Sequence, residues 1–105
     1  VNVLNTAKTK HLRGTVLLLL RTNHDDQKSR FDSTALWSAL VRGLSFDVSR
    51  NELKTVLQDL KGRGYIDFKQ QKDLDSGTVY IVQIELCPRG RDLLEGTIED
   101  AAVEI

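Results

Sequence analysis

The chain has 105 residues, 40% hydrophobic and 29% charged, enough for one domain with one modest core. Its formal net charge is zero, but fifteen bases and ten acids fall in residues 1–91, and five acids with no base in residues 92–105. Composition alone therefore carries no polyanion signal, and the distribution is that of a basic body with an acidic end. Cys87 is the single cysteine, which excludes an intrachain disulfide and suits a reducing cytoplasm. The apolar run Val16–Leu20 is too short to cross a membrane, so no membrane partner is expected. The chain contains no Met, so Val1 is expected to lie downstream of the translation start.

Residues 1–10 are polar and read as a flexible N-terminal arm, with a domain over residues 11–98 and an acidic tail over residues 99–105. From Ala7 to Thr22 the pattern turns helical. Leu12, Val16, Leu19 and Leu20 form one stripe, which Leu17 and Leu18 widen, so this helix is expected to bury more than one side. Asn23–Asp32 is the clearest loop. Asp32 or Ser33 then offers an N-cap for a helix over Thr34–Val41, carrying Leu36, Trp37 and Leu40, and Arg42-Gly43 supplies the stop. Trp37 reads as core, with an intersubunit anchor as the other role. Leu44–Val48 is a turn in which Leu44 or Phe46 plugs the space between helices.

Ser49 and Glu52 make an S-x-x-E capping box. Leu53, Val56, Leu57 and Leu60 follow at helical spacing, and Lys61-Gly62-Arg63-Gly64 ends the helix. Tyr65–Gln70 alternates with Ile66 and Phe68 inward. Thr78–Leu86 is read with Tyr80, Val82, Ile84 and Leu86 on one side and Gln83 and Glu85 on the other. Asp75-Ser76-Gly77 turns the chain between them, giving an antiparallel hairpin with a charged tip. Pro88 suits the first turn of a last helix, which Leu93, Leu94 and Ile98 return to the core. Cys87, at the end of an apolar strand, reads as a small buried thiol. The expected fold class is mainly α with a small antiparallel β-hairpin, an α+β arrangement.

The order helix, turn, capped helix, hairpin, helix resembles the winged helix-turn-helix superfamily, over roughly Leu12 to Ile98. Two runs carry the resemblance. ELKTVLQDLKGRGYI looks like the end of a recognition helix. LCPRGRDLL is similar to the L-T-x-x-G-R-x-x-L that follows the wing in many bacterial regulators of the MarR and PadR type. The resemblance implies a small DNA-binding transcriptional regulator of bacterial or phage origin, with double-stranded DNA as partner.

In such folds the second helix of the motif enters the major groove, led by its N-terminal residues. Here its free face offers Ser49, Arg50, Asn51, Lys54, Thr55, Gln58 and Lys61. Arg50 suits a guanine edge, Asn51 or Gln58 an adenine edge, and Lys54 and Lys61 phosphates. Lys69, Gln70, Gln71 and Lys72 of the wing, with Arg42 and Arg63, add further contacts to the nucleic-acid backbone. The plainer reading is a solvated helix face, since polar residues lie opposite the apolar stripe of any surface helix. Asp59, Asp73 and Asp75 oppose phosphate binding. A winged-helix protein–protein module without DNA binding is the alternative. The apolar excess at Leu17 and Leu18 suggests a homodimer through the first and last helices.

Catalysis is not expected, and no cofactor or metal is implied. His11, His24 and Cys87 have no metal-ligand spacing. His24-Asp25-Asp26 sits in a polar loop and reads as solvated. Gly62-x-Gly64 closes a helix before a strand, the reverse of a phosphate loop.

Overall fold

The computed structural model describes residues 3–25 and 32–104, with side chains over 7–22 and 32–104. The first helix, α1, runs Val3–Asp25. It starts four residues before Ala7, where the apolar period begins, because extending a nucleated helix adds one hydrogen bond per residue fixed. Most of the expected loop at 23–32 lies outside the described residues, as do the side chains of His24, Asp25 and Asp26.

Capping then places the next two helices. Asp32 Oδ1 accepts the Ala35 amide at 2.7 Å and opens α2, Ser33–Ser38, which continues as a wider π-helical turn over Ala39–Gly43. Ser49 Oγ accepts the Glu52 amide at 3.1 Å and opens α3, Arg50–Gly62. Between them Ser45 takes a left-handed φ of 58°. Of the two residues expected to plug this turn, Phe46 does so, packing on the core and stacking on His11 at 5.4 Å. Leu44 does not and stays 49% exposed.

The stop after α3 is made by Gly64 at φ 83°, with the Tyr65 amide returning to the Leu60 carbonyl at 3.1 Å. Strands β1, Ile66–Lys72, and β2, Val79–Leu86, follow as an antiparallel pair. Asp67 faces Glu85 while Lys69 faces Val82, so β2 carries one extra residue, and Gln83 sits at φ 53°. This bulge corrects the simple alternation expected for β2. An unpaired residue reverses the phase of the side chains on either side of it. Ile81 and Ile84 are buried, Val82 is half-buried, and Tyr80 is 40% exposed.

The last helix, α4, runs Pro88–Glu95 and closes at Gly96, φ 81°. The architecture is mixed α+β: among the described residues, four helices and a two-strand hairpin. α1 packs on α3, β2 and α4, and α2 packs on α3 and β2. Leu17, Leu36, Leu40, Leu53, Leu57 and Leu60 are fully buried in one core. Leu17 thus spends its apolar surface inside the chain rather than on a partner.

Residues 97–104, read as the end of the domain and an acidic tail, dock back onto the body. The Glu104 amide donates to the Lys10 carbonyl at 3.0 Å, Arg13 donates to the Ala102 carbonyl at 2.9 Å, and Val103 is buried. Asp100 is the centre of this docking. It accepts the Tyr65 hydroxyl at 2.6 Å, the Ala102 amide at 2.8 Å and Arg63 at 3.1 Å. The Tyr65 hydroxyl, the Ala102 amide and the Arg63 charge together hold the Asp100 carboxyl below its ordinary range. Burial and the same carboxylate push the Tyr65 phenol up.

Candidate functional site

The polar end of α3 is built from the cap outward. Ser49 spends its hydroxyl on the cap. Arg50, Asn51, Thr55 and Gln58 are exposed, and Lys54 is half-buried. Thr55 Oγ1 donates to the Asn51 carbonyl at 3.1 Å. The Arg50 guanidinium lies 4.8 Å from the Trp37 ring centroid, inside cation–π range. Trp37 is itself oriented, because Nε1 donates to the Val48 carbonyl at 2.9 Å. One bond therefore ties α2 to the turn before α3, and the ring it fixes holds the first cation of α3.

An open cleft of about 260 Å³ lies beside this end. Trp37, Leu53, Val79, Tyr80 and Ile81 give it apolar walls, and Arg50, Asn51, Lys54, Ser33, Thr34 and Thr78 supply its polar groups. It brings the starts of α2 and α3 against the first half of β2. Among the described residues no carboxylate lines it; Asp32 and Glu52, each next to a lining residue in sequence, are exposed.

The other end of α3 differs. Asp59, expected to oppose phosphate on this helix, accepts Arg63 Nε at 2.9 Å and lies 3.1 Å from Arg13 Nε, an ion pair without hydrogen-bond alignment. Its charge is compensated by α1 and the helix end. Arg63 is shared between Asp59 and Asp100, and these carboxylates raise its pKa further. Lys61 is 3.4 Å from Asp67, donates to the Phe68 carbonyl at 3.3 Å and covers the Phe68 ring. Lys61 and Arg63, two of the residues read from the sequence as phosphate contacts, are thus held by the chain's own groups. Lys69 and Lys72 are exposed on β1, and among the described residues neither they nor Lys54 has an ion-pair partner.

The sequence-derived set therefore splits. Arg50, Asn51 and Lys54 gather at the cleft, Thr55 and Gln58 continue their exposed face, and Lys69 and Lys72 stand on β1. Trp37, Tyr80 and Ser33 were not part of that set. The signal for Trp37 was its isolation on a helix stripe; nothing local pointed to Tyr80 or Ser33. Cys87, read as a buried thiol, is half-buried, and burial, then Asp67 and Glu85, push its thiol up. Among the described residues no group of three or more His, Cys, Asp or Glu side chains gathers, and no helix is long and apolar enough to cross a membrane.

No protein-family model, curated protein or solved structure matches this chain.

Proposed function

We propose that the chain is a winged helix-turn-helix domain that binds double-stranded DNA as a small cytoplasmic transcriptional regulator. α3 enters the major groove and β1 braces the phosphate backbone. The observation that carries this reading is the grouping of Arg50, Asn51 and Lys54 at the N-terminal end of α3, with no carboxylate among the described residues that line the adjoining cleft. That end also carries the positive end of the helix dipole. Asp59 is the acid that would most weaken the reading, and it is engaged by Arg13 and Arg63. Arg50, Asn51 and Gln58 supply base-edge donors and acceptors; Lys54, Lys69, Lys72 and Arg42 meet phosphates. Lys61 and Arg63 contribute less, since each would first leave an internal pair.

The test is binding of mixed-sequence duplex DNA at low salt. Affinity should fall steeply as salt rises. Changing Arg50 and Lys54 together to Ala should weaken binding at least about tenfold and flatten the salt dependence. An unchanged gel shift in that double variant would exclude α3 as the reading helix. The alternative, an interaction module without DNA binding, is favoured by one feature: the wing tip presents Leu74 between Asp73 and Asp75 rather than a cation. No DNA binding even at low salt would select it.

A further inference from the structure

The wing tip is an apolar knob on a pinned turn. Leu74 is 93% exposed. A single exposed leucine is ordinary, but this one stands in a turn closed at five points. The Asp73 amide donates to the Thr78 carbonyl at 2.8 Å, and the Gly77 amide to the Asp73 carbonyl at 2.8 Å. The Asp75 amide donates to Asp73 Oδ1 at 2.9 Å, the Ser76 hydroxyl to Thr78 Oγ1 at 3.0 Å, and the Thr78 amide to Ser76 Oγ at 3.2 Å. Gly77 at φ 73° completes the reversal. The backbone beneath Leu74 therefore loses little freedom when the side chain docks. Carboxylates flank it on both sides, and the Asp75 amide bond keeps Asp73 ionised below its ordinary range.

The same chain carries a socket of opposite charge. The cleft beside α3 has apolar walls at Trp37, Leu53 and Ile81 and cations at Arg50 and Lys54, with no acid among the described residues of its lining. Leu74 does not fill it within one chain, as its exposure shows. The knob also leads straight into the socket wall, since Thr78 lies four residues after Leu74 and lines the cleft.

We propose that Leu74 of one copy seats in the Trp37–Arg50 cleft of a second copy, Asp73 and Asp75 facing Arg50 and Lys54, and that the second copy returns the contact. Because knob and socket adjoin on the wing, a two-fold axis alongside it closes both contacts at once, the self-complementary arrangement of a symmetric dimer. Two knobs bury less than a standard interface, so the dimer is weak and concentration-dependent. It forms without DNA. The exclusion of DNA by this dimer is a separate consequence that rests on the DNA reading, since both use Arg50 and Lys54.

The test is sedimentation velocity of the full chain over a concentration series without DNA, with Trp37 emission followed in parallel, because the single tryptophan lines the socket. Wild type should show a monomer–dimer equilibrium that weakens with salt. Leu74→Ser should raise the dissociation constant about tenfold or more, as expected for removing a buried leucine. Its circular dichroism should not change, since the side chain packs on nothing. Asp75→Lys and Lys54→Glu should each weaken the dimer, and the two reversals together should restore it. A chain that stays monomeric at the highest concentration overturns the proposal. So does a dimer indifferent to Leu74→Ser, or a double reversal without recovery. Leu74→Ser should bind DNA no more weakly than wild type; weaker binding overturns the exclusion alone.

Discussion

Gly90→Ala sets helix propensity against tertiary packing. Gly90 lies inside α4, where alanine is the better helix former by about 1 kcal/mol. A Cβ at this position would stand 2.4 Å from the Tyr65 carbonyl oxygen and 2.7 Å from Leu86 Cδ1. Ordinary carbon–oxygen contacts lie near 3.3–3.6 Å, so the overlap with Tyr65 is about 1 Å. Leu86 can rotate away, but the carbonyl cannot. It accepts the Cys87 amide at 2.9 Å, and the Tyr65 side chain is tied to Asp100. Relief requires α4 to back off the start of β1, at an overpacking cost of about 1–3 kcal/mol. Weakening the Cys87 bond adds about 1 kcal/mol. Net of the propensity gain, the variant should lose about 1–3 kcal/mol, or about 5–20 °C in Tm for a chain of this size. Urea and thermal unfolding followed by circular dichroism measure this, with Gly62→Ala as control. A Cβ at Gly62 meets nothing within 4 Å, so that variant should be neutral or up to about 1 kcal/mol more stable. Equal stability gains in both variants would refute the close approach of α4 to Tyr65.

Three further outcomes follow from the packing. Asp100→Asn should cost about 1–3 kcal/mol at neutral pH by removing the charge that Tyr65, Ala102 and Arg63 share. Since the folded carboxyl is depressed, its contribution is present above the ordinary aspartate value and lost as pH falls through the folded one. Wild-type and variant stabilities should therefore converge in acid, and a constant gap would contradict the linkage. Leu57→Ala, at a fully buried position, should cost about 2–5 kcal/mol in urea unfolding. Trp37→Phe should cost about 1 kcal/mol through the lost bond to the Val48 carbonyl, and hydrogen exchange should show the turn before α3 loosened.

Much of the scaffold was legible because its signals are local. Ser49, Leu53, Val56, Leu57 and Leu60 state a cap and a stripe within twelve residues, and α3 follows them. Pro88 and the turn at Asp75-Ser76-Gly77 likewise act within a few residues of themselves. The phase of β2 was not legible, because Val79–Leu86 is apolar enough to read either way until the bulge at Gln83 is set by pairing with β1. The glycine of LCPRGRDLL was visible as a motif, yet its reason is the carbonyl of Tyr65, twenty-five residues earlier.

By itself the sequence determined the helix–hairpin–helix order, the buried face of α3 and the residues its free face offers, because caps and apolar periods act along one stretch of chain. The tertiary structure decided which of those charges stay available. Arg63 and Lys61 are held by Asp100, Asp59 and Asp67, Asp59 is drawn toward Arg13, and Arg50 and Lys54 remain beside a cleft walled by α2 and β2. Ion pairing depends on distance through space between elements as far apart in sequence as Arg13 and Asp59, and no local pattern encodes that distance.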